Sequence, residues 1–178
     1  MVTIKTITAS DRCMVSRIVS ENWGSSIIVT RGKVHDASAL SGFIAELDGE
    51  TAGMITYEIK NSGCMGGQLA QSTTGPECEI VCLGSFVENK GVGSSLIEEV
   101  VKVARESNCH RVWLITTNDN TNAMRFYQKR GFTFAGLHID AVAAARVIKP
   151  QIPLAGCDGI PIRDEIEFEI KLNRTFAC

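Results

Sequence analysis

Neither sign of charge dominates this chain. Eighteen Lys and Arg stand against twenty Asp and Glu, a net charge of −2, so no basic field argues for nucleic acid or for an acidic membrane surface as a partner. Long apolar runs are missing as well, and none approaches the roughly 18–20 residues that span a bilayer. The first stretch, MVTIKTITASDR, lacks the uninterrupted apolar core of a secretory leader, which makes the cytoplasm the expected location. Seven cysteines occur but no Cys-x-x-C pair, so a zinc site is disfavoured and buried free thiols in a reducing compartment are the better reading. Cys78 and Cys82 lie four apart in an expected strand, which places both on one side of it. A G-x-x-x-x-G-K-[ST] loop is absent, as is a G-x-G-x-x-G with the acidic residue of a dinucleotide-binding unit; a generic nucleotide-phosphate binder therefore ranks last. There is no internal repeat and no sign of a second domain. The 178 residues suit one domain, 1–178, with a substantial core.

What is present alternates between strand and helix patterns. Val2 to Ile7 reads as a strand. Ser10 and Asp11 offer a helix cap, and Met14, Ile18 and Val19 recur at helical spacing up to about Asn22. The stretch Trp23 to Gly42 holds three glycines, a Ser pair and His35. His35 is either a substrate contact or base, or a solvent-facing loop histidine, and the second is the commoner state. Phe43 to Leu47 and Thr51 to Ile59 flank Asp48-Gly49, a strong hairpin signal. Asn61 to Pro76 is rich in Gly, Ser and Thr and reads as an exposed loop, either a lid or a plain connection. Near the C-terminus, Phe134 to His138 reads as a strand and Ala141 to Ile148 as a helix. Glu165 to Leu172 alternates strictly, with Ile166, Phe168, Ile170 and Leu172 inward and Glu165, Glu167, Glu169 and Lys171 outward: a half-exposed strand.

Between these flanks, Glu77 to Phe132 carries the organising pattern. A strand at Glu79 to Leu83 runs into a short loop with Gly91 and Gly93, then a helix from Val92 to Glu106 with Leu96, Val100, Val103 and Ala104 inward. Val112 to Thr117 is apolar on both faces, as a buried parallel strand should be, and strand, helix and parallel strand make a right-handed crossover. Asn118-Asp119-Asn120 caps a further helix, and Gly131 stops it. Glycines before a helix let the backbone bend tightly and approach a ligand. The first helical N–H groups have no intrahelical partner, so the turn is an anion site for which phosphate is the usual occupant.

Two consecutive motifs give this segment a family likeness. Glu88-Asn89-Lys90-Gly91-Val92-Gly93 resembles the Q/R-x-x-G-x-G/A turn of the GNAT superfamily of acyl-CoA-dependent N-acetyltransferases. Asn120, Ala123, Phe126-Tyr127 and Gly131-Phe132, at this distance beyond the turn, resemble that superfamily's second helix. The wording LITTNDN…FYQKRGF with the later IPIRDEIE is similar to one bacterial branch of it. The resemblance implies an α/β (α+β) fold: a central mixed, largely antiparallel sheet with a splayed parallel strand pair, flanked by helices. It implies an enzyme that moves an acetyl group from acetyl-CoA, as cosubstrate, to a primary amine by direct attack in a ternary complex.

Carried onto this sequence, the resemblance puts the pyrophosphate on backbone groups of Lys90, Gly91, Val92, Gly93 and Ser94. It puts the pantetheine arm on Leu83 and Ser85, with an N–H near Leu83 on the thioester oxygen. Asn120 would contact the cofactor arm, which is compatible with its capping the helix. A protonated alkylamine has a pKa near ~10, so a base must take a proton before attack. Glu79 is that candidate, resembling the strand glutamate of histone-acetylating members; its other state is a strand-surface carboxylate, and Glu77 and Asp164 are lesser candidates. The leaving thiolate, with a pKa near ~8.5, takes a proton from Tyr127, unless Tyr127 is simply an aromatic core residue.

Two departures stand out. Glu88 occupies a position usually held by Gln or Arg, where its charge opposes a pyrophosphate and Lys90 is the candidate to compensate. The segment before the glycines is also short and lacks proline. These keep open an acyl-CoA-binding sensor or regulatory module without turnover. Glu77, Asp164, Glu165 and Glu167 would attract a cationic amine if they lined the cleft, but exposed strand carboxylates are commoner. The acceptor is an amine on a small molecule or a protein, and a homodimer is expected by analogy alone.

Overall fold

A computed structural model describes residues 1–61 and 75–172. Nine strands and four α-helices lie among the described residues. The strands are β1 (Val2–Thr6), β2 (Ile27–Thr30), β3 (Lys33–Asp36), β4 (Ser41–Leu47), β5 (Glu50–Lys60), β6 (Glu77–Ser85), β7 (Arg111–Thr117), β8 (Thr133–His138) and β9 (Glu165–Lys171). The helices are α1 (Arg12–Trp23), α2 (Val92–Glu106), α3 (Thr121–Gln128) and α4 (Ala141–Ile148). Seven strands form one sheet in the order β1-β4-β5-β6-β7-β9-β8, and β2 and β3 form a separate hairpin. Only β6 and β7 run parallel within the sheet. The expected mixed, mainly antiparallel sheet with flanking helices is therefore present. No helix among the described residues is long and apolar enough to cross a membrane. Most of the stretch expected to form a lid or plain connection, 61–76, lies outside the described residues.

Local chemistry accounts for the element ends. Thr8 donates its N–H and hydroxyl to Asp11 Oδ2, at 2.9 and 2.6 Å, which fixes the entry to α1. Gly24, at φ 80°, ends that helix. Asp48 and Gly49, at φ 54° and 87°, make the primed turn that matches strand twist and join β4 to β5. Helix α2 buries Leu96, Ile97, Val100 and Ala104 against one sheet face, while Val103 is only partly covered. Leu96, Ile97 and Val100 each contribute roughly 1.5–3 kcal/mol relative to exposure. Helix α1 and the β2–β3 hairpin cover the other face, around Val15, Val19, Ile44 and Met54.

One irregularity re-phases β6. Thr56 pairs with Cys82 but Tyr57 pairs with Ile80, so Val81 is an extra residue facing β5. Cys78 and Ile80 consequently belong to the α2-side core, whereas Val81 and Cys82 belong to the α1-side core. This corrects the expectation that Cys78 and Cys82 share a face: two-residue periodicity fails across a bulge. The described cysteines are all free thiols, with Cys78, Cys82 and Cys109 buried and Cys13 and Cys157 exposed.

Cations bonded to backbone carbonyls hold the hairpin in place. Lys149 Nζ donates to Trp23 O at 2.7 Å and Ile27 O at 2.6 Å, tying the end of α4 to the start of β2. Arg12 donates to the carbonyls of Ser38, at 2.8 Å, and Leu40 on the far side of β3. The stretch Trp23 to Gly42, for which the sequence offered no strand, thus contains a short hairpin, pinned at both ends.

Candidate active site

Strands β6 and β7 are paired only from Glu77 and Arg111 to Ile80 and Leu114. Beyond that point each continues without the other, to Ser85 and Thr117. A groove of about 700 Å³ runs along this end of β6 and between the start of α2 and α3. Of the expected cofactor residues, Leu83, Ser85, Gly91, Val92 and Gly93 line it, together with Tyr127; Lys90, Ser94 and Asn120 do not.

The glycine turn has the anticipated form, with separate reasons for its two glycines. Gly91 sits at φ 77° as the cap of α2, a conformation costly for other residues. Ser95 N–H donates to Gly91 O at 3.0 Å, the first bond of the helix. The N–H groups of Val92, Gly93 and Ser94 precede it and have no intrahelical acceptor. Gly93 is required by packing: a Cβ there would lie 2.8 Å from Cζ of Phe126. Asn120 caps α3, its Oδ1 accepting from Ala123 N–H at 3.1 Å. Tyr127 is buried among Phe126 and Phe132, with ring centroids at 5.3 and 5.5 Å, and burial pushes its hydroxyl well above the usual phenol range.

Glu88 faces this groove, but so do Arg125, Lys129 and Arg130 of the α3 end. These cations were missed from sequence, although the run Gln128-Lys129-Arg130-Gly131 carries the signal. A basic pair just before a helix stop, opposite a phosphate-binding turn, marks a cationic wall. Lys90, the expected compensating charge, is exposed and does not line the groove.

The other face of β6 carries a dense layer of charge under the β2–β3 hairpin. Glu79 is only 1% exposed. Its Oε1 accepts from Thr30 Oγ1 at 2.9 Å, and its Oε2 is ion-paired with Lys60. His35 is 4% exposed, with Nε2 3.1 Å from Thr30 Oγ1 and 3.6 Å from Glu79 Oε1, and Nδ1 3.4 Å from Glu58. The solvent-facing reading of His35 is therefore corrected: it lies on β3, whose inner face packs on the sheet. Desolvation lowers its pKa, the negative charge of Glu79 opposing that shift. Glu79 is likewise a buried carboxylate rather than a surface one.

Glu165 and Glu167, expected to point outward from a half-exposed strand, are also buried. Glu165 accepts the Arg31 backbone N–H at 2.8 Å, and burial raises its pKa. Glu167 meets Arg111 at 2.8 Å, Arg31 at 3.3 Å and His138 at 3.2 Å. Arg111 also holds Glu77 at 2.8 Å and Glu169 at 3.1 Å. Asp164 lies apart, held by Arg163 at 2.8 Å and the Asp140 N–H at 2.9 Å. The four carboxylates considered as attractors of a cationic amine are thus each matched by partners of this chain. His35, Glu58 and Glu79 bring ligand-type atoms within 4.8 Å of one another. Lys33 and Lys60 hold the carboxylates of that group, and such paired charge leaves a divalent ion little to neutralise.

Comparison with known proteins gives a consistent result. The sequence model of the acetyltransferase (GNAT) family matches residues 14–132. The Bacillus subtilis protein YdhI is 40% identical over 156 residues, covering 87% of this chain and 89% of the relative. Among solved structures, Arabidopsis thaliana NAA60 in complex with a bisubstrate analogue superposes with a TM-score of 0.67 at 18% identity, over 98% of this chain and 100% of that one. A Bacillus subtilis acetyltransferase in complex with CoA gives a TM-score of 0.63 at 16% identity, over 97% and 100% of the two chains.

Proposed function

This chain belongs to the acetyltransferase (GNAT) family, and on that premise we propose that it transfers the acetyl group of acetyl-CoA to a primary amine within a ternary complex. One observation carries the reading: the free N-terminus of α2 and the end of β6–β7 pairing open onto the same groove. The first suits a diphosphate. The second leaves strand backbone unpaired for a pantetheine arm, at Leu83 and Ser85, with Asn120 at the edge. Acetyl-CoA supplies the acyl thioester. A backbone N–H near Leu83, beyond the bulge at Val81, polarises its oxygen.

Tyr127 keeps its proton through the neutral range because burial raises its pKa. Full transfer to a thiolate of pKa near ~8.5 is then uphill, so its contribution is a hydrogen bond to the charge as it develops. Glu79 is the base. It is closed to solvent, so the amine's proton reaches it from the side that Lys60 covers, directly once Lys60 yields or through a bridging water. The same closure favours a second reading, an acyl-CoA-binding module without turnover: a carboxylate held by Thr30 and Lys60 needs no reaction to justify it. Free thiols at Cys78, Cys82 and Cys109 suit a reducing compartment, the cytoplasm.

Titration calorimetry with acetyl-CoA and CoA tests the site first. Micromolar binding that disappears in Gly91→Glu supports the groove, and an acceptor screen by thiol release then separates enzyme from module. Absence of binding by either ligand in the wild type would falsify both readings.

A further inference from the structure

Arg130 is fixed where a freely rotating basic side chain would be expected. Its Nε and Nη2 both donate to Ser94 Oγ, at 3.0 and 2.7 Å, and its Nη1 donates to the Phe126 carbonyl at 2.8 Å. The guanidinium carbon stands 3.4 Å from the centroid of the Phe126 ring, a cation–π contact. That ring in turn closes on Gly93. Ser94 is the third residue of α2, so α3 delivers a fixed positive charge to the first turn of the helix that ends the glycine loop. Arginine has five N–H donors, and these three bonds leave two without a partner among the described residues. Arg125 and Lys129 also line the groove but are exposed, and among the described residues no side-chain bond anchors either.

Glu88 lines the same groove, where the family turn carries Gln or Arg. We propose that Arg130, reaching across from α3, supplies the countercharge for the cofactor diphosphate that Glu88 withholds, and so makes this enzyme selective for a diphosphate-bearing donor over a bare acyl thioester. The inference rests on the acetyl-CoA reading above. Burial lowers the Arg130 pKa somewhat, but a guanidinium remains charged at neutral pH.

The test compares wild type, Arg130→Gln and Ser94→Ala with two ligands: acetyl-CoA by calorimetry at low and moderate salt, and S-acetyl-pantetheine, which lacks the diphosphate, by NMR titration. Arg130→Gln is expected to weaken acetyl-CoA about 10- to 100-fold, the loss of charge-assisted hydrogen bonds, and to flatten the salt dependence. S-acetyl-pantetheine should bind within twofold of wild type. Ser94→Ala keeps the charge but frees it, and should cost about threefold by the same logic. Adding Glu88→Gln to Arg130→Gln should recover part of the loss. Equal weakening of both ligands would make Arg130 a purely structural tie, and unchanged acetyl-CoA affinity would remove it from the site; either overturns the inference while leaving the function standing. Failure of wild type to bind acetyl-CoA would overturn the function itself.

Discussion

At the groove, polar groups are left without a partner among the described residues: the first N–H groups of α2, and two donors of Arg130. Under the β2–β3 hairpin, on the opposite face of β6, the charged side chains are paired with one another, although Trp113 Nε1 among them has no partner among the described residues. Thr30 and Lys60 take Glu79, Arg31 and Arg111 take Glu167, and Lys33 takes Glu58. The first arrangement is ready for a ligand. The second is balanced without one and must be opened, at Lys60 above all, before Glu79 can do chemistry. Donor binding and amine activation should therefore respond differently to substitution.

The largest effect expected from breaking this contrast is Glu79→Gln. Turnover in a thiol-release assay should fall about 10²–10⁴-fold, the range for loss of a general base, with acetyl-CoA affinity kept within twofold. Unaltered turnover would remove Glu79 from the mechanism. Next, Lys60→Met leaves a buried carboxylate without its ammonium. We expect a loss of about 3 kcal/mol, near the lower bound for breaking a buried pair because Lys60 is itself partly exposed, read from urea denaturation. Most of it should return in the Lys60→Met, Glu79→Gln double variant; no recovery would show that the two are not coupled.

The two glycines sharpen the groove side. Gly91→Ala meets open space but keeps φ 77°, costing roughly 1–2 kcal/mol of stability. Gly93→Ala should instead displace the Phe126 ring and weaken acetyl-CoA several-fold with less effect on the melting temperature. If both variants lose stability and affinity in equal proportion, the distinction drawn here is wrong.

The smallest expected effect is a pH dependence. His35 has a lowered pKa in the folded protein, so below the unfolded value of about 6.5 the unfolded chain binds more protons and folding stability falls as pH drops. Thr30, Lys33, Glu58, Lys60 and Glu79 surround the ring, and the two glutamates blunt the effect. Stability measured from pH 7.5 to 5 should fall less in His35→Gln than in wild type; identical slopes would assign the dependence elsewhere.

The groove was legible in the sequence because its parts are neighbours along the chain. Strand, glycine turn and helix lie within Glu77 to Glu106, and Asn120 to Phe132 follows directly. Asp48-Gly49 was legible for the same reason. The charged layer was not, because its pairs are distant: Arg31 meets Glu165 across 134 residues and Arg111 meets Glu167 across 56. Alternation in β9 separates two sets of side chains but does not reveal that an arginine-bearing hairpin covers the polar set. That hairpin had a signal in the β-branched run Ile27-Ile28-Val29-Thr30 just before Arg31-Gly32, whose φ values of 50° and 72° make its turn. The density of Gly and Ser around it read as loop instead.

The extra residue in β6 lets one strand keep two accounts of inside and outside. Upstream of Val81, position parity assigns Glu77 and Glu79 to the hairpin side; downstream, the opposite parity assigns Leu83 to the α2 side. Deletion of Val81 would restore continuous pairing with β5 while leaving Glu79 on the hairpin side and Leu83 on the α2 side.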